Sequence, residues 1–265
     1  MLLSVEEDME NWRDSDVNVD SLWIIDKRSS EGKHSNVYHG NFIPQIPNQL
    51  IKRYTQKNDV VLDLFMGGGT TLFECEALER NFIGFDINTE IIDFVRCKMD
   101  GTTNIKYFIN ECDVTNHEKF DNFISHNLND LGVDGVDFVI AHPPYFDIVK
   151  FTEKKEDLSN ISNIDDFIVK FVSAMSNGLE YLKKGKYFAV VAGDIYKNSE
   201  VIPLGFYLLD AIKKHCTQTK LKGIIVKNIE GNRGKLGIQN IWKYRALKSD
   251  YYLFKHEYIF VFKKM

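Results

Sequence analysis

The chain alternates short apolar runs with stretches in which apolar residues recur every three or four positions. The runs are typical of buried strands and the longer stretches of amphipathic helices. Alternating strands and helices indicate a parallel sheet with helices on both faces. The predicted strands lie at 60–65, 81–86, 105–110, 136–141, 187–193, 221–229 and 256–264. The predicted helices lie at roughly 70–80, 88–99, 117–129, 164–184 and 202–215. A further helix is expected to begin at Pro47, with Leu50, Ile51 and Tyr54 on one face.

The last apolar run, HEYIFVFKK at 256–264, follows a polar stretch without a convincing helical pattern. A strand reached without a helical crossover is expected to run antiparallel to its neighbour. We therefore predict an α/β fold with a mainly parallel sheet of about seven strands, the last one antiparallel. Residues 1–40 are polar and irregular and are predicted to form an N-terminal arm, followed by a single domain at 41–265.

Composition is that of a globular protein with a sizeable core, since 44% of the 265 residues are hydrophobic and 27% are charged. The chain has no apolar run of about twenty residues, and its acidic start lacks a signal-peptide pattern. We therefore expect a cytoplasmic protein that does not bind a membrane. The four cysteines are far apart in the sequence, which favours free thiols.

Charge is distributed unevenly along the chain. The net charge is −5, but residues 213–265 contain thirteen Lys or Arg and three acids, so this segment carries +10 and the first 212 residues carry −15. A basic C-terminal face suggests a polyanion bound on one side only. The simpler alternative is a solvated, lysine-rich surface.

The segment VVLDLFMGGGTTLFECEALER predicts a strand, a glycine turn and a helix. It lacks the third glycine of a dinucleotide site and the Gly-Lys pair of a P-loop. Asp63, Asp86 and Asp113 end or follow three successive strands, so they are expected to meet at one edge of the sheet and to disfavour phosphate. Asp86 is placed to accept hydrogen bonds from a ribose diol. The acids suit a ligand with a ribose, an amine and a positive charge, and S-adenosylmethionine has all three.

A second motif, VIAHPPYFDI at 139–148, ends the predicted strand at 136–141. Its two adjacent prolines fix two φ angles and remove two backbone donors, so the end of the strand is rigid. Together, DLFMGGGTT and AHPPYF resemble the DNA amino-methyltransferases, which methylate N6 of adenine or N4 of cytosine. The family's cofactor loop corresponds to 63–70. Its Asp/Asn/Ser-Pro-Pro-Tyr/Phe motif corresponds to 142–145.

The resemblance covers roughly 35–265 and implies a Rossmann-like methyltransferase fold with S-adenosylmethionine as the cofactor and S-adenosylhomocysteine as the product. It implies that DNA is the partner and that the base is flipped into the His-Pro-Pro-Tyr pocket. The implied catalytic residues are His142, Pro143, Pro144 and Tyr145. The expected cofactor-binding residues are Asn41, Phe42, Asp63, Phe65, Met66, Gly67, Gly69, Thr70, Thr71, Asp86, Ile87 and Asp113.

The exocyclic amine of a base is a poor nucleophile because its lone pair is delocalised into the ring. In the family, the first motif residue and the following Pro carbonyl accept its two protons, and the aromatic residue stacks on the extruded base. His142 departs from the family's Asp, Asn or Ser, and it can accept a hydrogen bond only when neutral. We expect methyl transfer to fall as the pH drops through the His pKa, between about pH 8 and 5.5.

Two segments, 146–160 and 228–255, are predicted to recognise DNA. We expect Phe146 to form a second wall of the base pocket, and we expect phosphate contacts from the basic side chains in these segments. The predicted nucleic-acid-binding residues are Phe146, Lys150, Arg233, Lys235, Lys243 and Arg245. Both segments are short, so we expect either a small target site or help from a partner chain or from a second protomer in a homodimer. The histidines show no ligand spacing, and no metal is assigned.

Two alternatives to a DNA methyltransferase stay open. An RNA base methyltransferase would use a similar Pro-Pro-Tyr pocket. A cofactor-binding regulator or partner subunit could have lost catalysis when position 142 became His. Within the leading hypothesis, adenine and cytosine are not separated, because His at this position matches neither form of the motif.

Overall fold

The protein is an α/β sandwich in which one large sheet is covered by helices. The computed structural model describes residues 12–35, 40–229 and 239–265. The helices are α1 (Gln45–Tyr54), α2 (Thr70–Ala77), α3 (Thr89–Lys98), α4 (His117–Leu131), α5 (Ile164–Glu180), α6 (Leu204–His215) and α7 (Gln239–Lys248), with 3₁₀ turns at Trp12–Asp14 and Leu158–Asn160. The strands are β1 (Leu22–Trp23), β2 (Val60–Asp63), β3 (Asn81–Asp86), β4 (Tyr107–Glu111), β5 (Val136–Ala141), β6 (Leu182–Ala192), β7 (Ile195–Lys197), β8 (Glu200–Ile202), β9 (Thr219–Asn228) and β10 (His256–Lys264).

Within the described residues the large sheet has eight strands, in the order β1-β9-β10-β6-β5-β2-β3-β4. The pairs β4–β3, β3–β2, β2–β5, β5–β6 and β1–β9 are parallel, whereas β10 is antiparallel to both β6 and β9. All strands of this sheet except β10 therefore point the same way. The predicted mainly parallel sheet with a reversed last strand is confirmed.

The hydrophobic core has two halves, one on each face of the sheet. One half contains side chains of α4, α5 and α6, including Phe120, Phe167 and Leu208, and the other contains side chains of α1, α2 and α3, including Ile46 and Leu72. Every residue of β5 is buried, as expected for a central strand covered on both faces. Helices on both faces were predicted, and they lie there.

Asparagine caps three of the helices that follow strands or loops. The Asn88 side chain accepts the amides of Glu90 and Ile91, and Asn116 and Asn163 cap α4 and α5 in the same way. These caps satisfy amides that the first helical turn leaves without partners. Because Asn88 follows Asp86 by two positions, the cap also fixes the turn at the end of β3.

Four elements were absent from the sequence prediction. Strand β1 is only two residues long, and the hairpin of β7 and β8 is too short for a clear pattern. The prediction of no helix before the last strand is wrong, since α7 lies there. Its apolar residues Ile241, Tyr244 and Leu247 are exposed, so no buried stripe marks the helix in the sequence.

The predicted N-terminal arm contributes to the large sheet through its apolar segment. Trp23 is buried, and β1 pairs with β9 through Leu22↔Val226 and Trp23↔Lys227. The Ile25 amide donates to Asn228 Oδ1 at 2.7 Å. These contacts hold the arm at the carboxyl end of β9. The division into an arm at 1–40 and a domain at 41–265 stays a prediction. Across the described ranges, every helix is too short or too polar to cross a membrane.

Candidate active site

The glycine turn joins β2 to α2 at the carboxyl end of the sheet. Gly67 and Gly69 have φ angles of 50° and 79°, in the left-handed region that glycine adopts at little cost. A Cβ on Gly69 would lie 2.9 Å from Val95 Cγ1, so a side chain would also lack room. Conformation and space together require glycine at position 69.

The middle glycine, Gly68, lies against Asn41 in the segment before α1. Its amide donates to Asn41 Oδ1 at 3.2 Å, and a Cβ would come within 2.5 Å of Asn41 Nδ2. This contact fixes the segment against the turn. Gly68 was not among the predicted site residues, because the reason for glycine is a contact with a residue 27 positions away, which no local pattern reveals.

Asp63 lies beneath the turn and is 1% exposed. It accepts hydrogen bonds from Thr71 Oγ1 at 2.6 Å and from the Phe65 amide at 3.0 Å. Burial raises the pKa of Asp63 to about 7 despite these hydrogen bonds, which lower it. Asp63, Gly69 and Thr71 were predicted to bind the cofactor, but they lie outside the cavity lining described below. They shape the turn instead.

Asp86 ends β3 and faces the turn. Its Oδ2 accepts the Gly67 amide at 2.8 Å and its Oδ1 accepts the Asn88 amide at 2.8 Å. Burial raises the pKa of Asp86 to about 6, again against the effect of these hydrogen bonds. Each carboxylate oxygen has capacity for a further hydrogen bond. The two amides therefore fix the carboxylate while leaving it able to accept hydroxyl groups.

A cavity of about 960 Å³ opens at the carboxyl ends of β2, β3 and β5. Its size suits a ligand larger than a single amino acid. Thirteen of the sixteen residues predicted for catalysis and cofactor binding line it. They are Asn41, Phe42, Phe65, Met66, Gly67, Thr70, Asp86, Ile87, Asp113, His142, Pro143, Pro144 and Tyr145.

The chemistry of the lining fits S-adenosylmethionine. Asp86 offers acceptors for a ribose diol, and Phe42, Ile87 and Val114 offer apolar surface for an adenine. Asp113 adds a carboxylate for a cationic group. No three or more His, Cys, Asp or Glu in the described ranges are arranged to hold a metal ion.

The loop after β5 crosses this cavity. Lys154 donates to the Ile87 carbonyl at 2.7 Å and to Glu111 Oε1 at 2.6 Å, and Asn88 Nδ2 donates to the Phe151 carbonyl at 3.3 Å. Glu156, Asp157 and Leu158 from this loop line the cavity. Segment 146–160, which was predicted to recognise DNA, thus lies against the strand ends that carry Asp86.

The Pro-Pro motif turns the chain sharply at the end of β5. The Phe146 amide donates to the Pro144 carbonyl at 2.9 Å, and Phe146 has a φ of 56°, which is uncommon for a large side chain. Tyr145 packs on Gly193, where a Cβ would lie 2.9 Å from Tyr145 Cε2. The two prolines and this contact fix the direction of the Tyr145 ring.

His142 and Tyr145 belong to a chain of hydrogen bonds that ends in a buried ion pair. Tyr145 Oη lies 3.2 Å from His142 Nε2 and donates to Glu257 Oε2 at 3.3 Å. Glu257 Oε1 accepts from Lys227 Nζ at 2.9 Å. Lys227 and Glu257 line the cavity and were missed by the sequence analysis, because they adjoin the motif only through strand pairing.

Burial lowers the pKa of His142 to about 4, although the carboxylate of Glu257 opposes this shift. With this pKa, protonation of His142 falls below the range of about pH 8 to 5.5 in which the sequence led us to expect a loss of transfer. The half-buried imidazole is neutral throughout that range.

The residues predicted to bind nucleic acid are scattered. Phe146 is 3% exposed and packs edge-on against Phe167 with ring centroids 5.7 Å apart, so it is a core residue and not a wall of the base pocket. Lys150 is exposed beside Ile148 and Val149, which line the cavity. Lys243 and Arg245 are exposed on α7. Arg233 and Lys235 lie outside the described residues.

The N-terminal part of the chain is similar to known DNA methylases. Residues 3–96 match the family model described as DNA methylase. The chain is 45% identical over 51 residues to Type II methyltransferase M.MjaII of Methanocaldococcus jannaschii, covering 19% of this chain and 10% of that protein. It is 54% identical over 65 residues to Type II methyltransferase M.BglI of Bacillus subtilis, covering 24% and 18%. The matched residues are similar to DNA methylases, as the resemblance in the sequence predicted.

The DNA methylase match also confirms S-adenosylmethionine as the predicted cofactor. The matched segments span no more than 18% of the length of these two relatives. Among solved structures, TrmN from Thermus thermophilus superposes with a TM-score of 0.53 at 14% identity, covering 86% of this chain and 50% of that one. This likeness concerns the fold, and it confirms the predicted Rossmann-like methyltransferase architecture.

Proposed function

We propose that the protein transfers a methyl group from S-adenosylmethionine to the exocyclic amine of adenine, at N6, or of cytosine, at N4, in DNA. One observation carries this proposal. The segment that matches the DNA methylases and the strand end with His142, Pro143, Pro144 and Tyr145 line the same cavity. A cofactor region and a base-pocket motif that share one cavity support a transfer between their ligands.

The cofactor side of the cavity is assigned to the residues around the glycine turn. Asp86 would accept the ribose hydroxyls, while Phe42 and Ile87 would pack on the adenine. Asp113 would face the methionine amine. When bound, S-adenosylmethionine supplies an electrophilic methyl group, and the residues of the chain orient it and exclude water.

The base side is assigned to the Pro-Pro motif. The Pro144 carbonyl already accepts the Phe146 amide, so we assign the Pro143 carbonyl and His142 as the two acceptors for the target amine. Acceptors held in fixed directions would turn the amine lone pair towards the methyl group. The Tyr145 ring would stack on a base extruded from the duplex.

Labelled S-adenosylmethionine tests this function directly. The protein is incubated with duplex DNA, with RNA or without an acceptor, beside the variants Tyr145→Ala and Tyr207→Ala. Tyr207 is a partly exposed residue of α6 and is the matched control. We expect label in DNA for the wild type and for Tyr207→Ala, and a loss of about a hundredfold or more for Tyr145→Ala with cofactor binding retained.

The outcomes separate the alternatives. Nucleoside analysis of labelled DNA distinguishes N6-methyladenine from N4-methylcytosine. Label in RNA and none in DNA would support the RNA base methyltransferase. Cofactor binding without transfer to either acceptor would contradict the enzyme and would support a regulator or partner subunit.

A further inference from the structure

A buried ion pair lies at the end of the β9–β10 ladder, next to the Pro-Pro motif. Lys227 and Glu257 are paired in register across the two strands, and their side chains are 5% and 9% exposed. Taking two charges out of water is costly, so such a pair is weak evidence for stability by itself. Its position against Tyr145 indicates a different use.

The hydrogen bonds between the ion pair and His142 have a defined direction. A carboxylate accepts hydrogen bonds but cannot donate them, so the single proton of Tyr145 Oη points to Glu257 Oε2. Tyr145 Oη then has only lone pairs to offer His142 Nε2 at 3.2 Å. His142 must therefore carry its proton on Nε2, and Nδ1 holds the lone pair.

We propose that Glu257 and Lys227 are positioning residues that fix His142 as the Nε2–H tautomer, so that Nδ1 is the acceptor for the target amine. This role rests on the proposed function, because the amine belongs to the target base. Lys227 holds Glu257 in place through their ion pair, Glu257 sets the direction of the Tyr145 hydroxyl, and the hydroxyl sets the tautomer. The network gives His142 the acceptor that Asp, Asn or Ser supplies in the family.

The surroundings of Tyr145 and His142 favour a protonated Tyr145 hydroxyl that donates to Glu257 and a neutral His142. Burial raises the pKa of Tyr145 well above its ordinary value, with Glu257 and Asp194 adding to the shift, so the hydroxyl keeps its proton. His142 faces Glu257 and Lys227, and burial keeps it neutral. The ring of Phe42 packs on the imidazole with centroids 5.0 Å apart. A neutral imidazole with one partnered nitrogen has a defined tautomer.

The molecule contains a natural control for this arrangement. His256 Nε2 lies 3.0 Å from Tyr258 Oη, which donates to Asp194 Oδ2 at 3.2 Å. This network contains a His, a Tyr and a carboxylate, as the network of His142 does, but its three residues lie outside the cavity lining. Tyr258→Phe thus removes an equivalent hydroxyl from the same part of the fold without touching His142.

The test reads the tautomer and the reaction separately. Long-range ¹H–¹⁵N spectra of histidine-labelled protein report which ring nitrogen carries the proton, and His142→Asn assigns the signal. The variants are Glu257→Gln, Lys227→Met/Glu257→Met, Lys227→Arg and the control Tyr258→Phe. The double variant removes both charges, so that it leaves no stranded buried ammonium.

We expect Nε2–H at His142 in the wild type, in Lys227→Arg and in Tyr258→Phe. In Glu257→Gln the amide oxygen accepts from Lys227 and the NH2 group faces Tyr145 Oη, and in the double variant position 257 has no acceptor. In both, the Tyr145 hydroxyl turns to His142 and Nδ1–H appears. Single-turnover methyl transfer should fall about tenfold or more in these two variants, with cofactor affinity unchanged.

An Nδ1–H signal in the wild type, or an unchanged tautomer in the double variant, would overturn the proposal. So would a shifted tautomer with an unchanged transfer rate. The spectra do not depend on turnover, so the two hypotheses can fail independently. A Glu257-dependent tautomer in a protein that methylates no DNA would overturn the proposed function, and the proposed acceptor role with it, whereas the structural network would stand.

Discussion

The side chain of His142 is half-buried in the cavity wall, beside Phe42, Tyr145 and the Lys227–Glu257 pair. Burial keeps it neutral, because a charged imidazole would lose part of its hydration there. The residue type suggests titration near neutral pH, and only the surroundings reverse that suggestion. The geometry of the pocket thus decides the chemistry of the residue.

A stability measurement tests the neutrality of His142. An unfolded His takes up a proton below about pH 6.5, whereas His142 in the folded protein does so only near pH 4. Its contribution to stability is therefore fully present above pH 6.5 and is lost as the pH falls towards 4. Between about pH 7 and pH 5, we expect the unfolding free energy of the wild type to fall by about 2 kcal/mol more than that of His142→Asn. Urea denaturation at both pH values measures this difference, and equal losses would contradict it.

The local sequence was sufficient to single out the residues that form the glycine turn and the rigid end of β5. Gly67 and Gly69 are marked by the turn they must form, and Pro143 and Pro144 by the backbone they fix. Glu257 could not be predicted, because it reaches the site only through the pairing of the last strand. The prediction that Phe146 forms a wall of the base pocket was wrong, because its left-handed backbone directs the ring into the core.

At the scale of elements, the loop after β5 forms a strap across the side of the cavity that we propose for the cofactor. Lys154 connects it to the ends of β3 and β4, and Asp157 from the same loop lines the cavity. The strands and helices of the core could be predicted from their periodicity. The path of this loop could not, because it depends on side-chain contacts with distant strands.

Lys154→Ala should loosen this strap. The exposed salt bridge to Glu111 contributes little, but the hydrogen bond to the Ile87 carbonyl lies beside the assigned adenine site. We expect cofactor affinity to fall about fivefold and amide exchange in 150–157 to rise. Calorimetric titration and hydrogen exchange measure these changes. Lys155→Ala, at the exposed neighbouring position, is the control and should behave as the wild type. Equal effects of both variants would show that Lys154 has no special part.

At the scale of the whole molecule, positive charge is concentrated in the C-terminal part of the chain, and α7 presents some of it. Lys243 and Arg245 are two positions apart on this helix, so they lie on different faces. Arg245 shares a face with Ile241, Tyr244 and Lys248, all of them exposed. Basic and aromatic side chains on one face suit a nucleic-acid backbone and its bases.

Salt titration of DNA binding tests which face of α7 is used. Arg245→Glu/Lys248→Glu should weaken DNA binding and lower the slope of log affinity against log salt by about two. Lys243→Glu and Lys213→Glu, the latter on α6, change the charge elsewhere and should leave the slope near that of the wild type. A lower slope for Lys243→Glu alone would assign the contact to the opposite face.

The register of β9 and β10 has a consequence for how such a protein can change. Lys227 and Glu257 pair where the connection containing α7 leaves the sheet, and among the described residues of that connection Ile229 alone lines the cavity. Under the proposed function, the segment beyond Ile229 can be exchanged while the base pocket keeps the support of the ion pair. New target preferences can then arise by exchange of one segment, without redesign of the proposed methyl-transfer site.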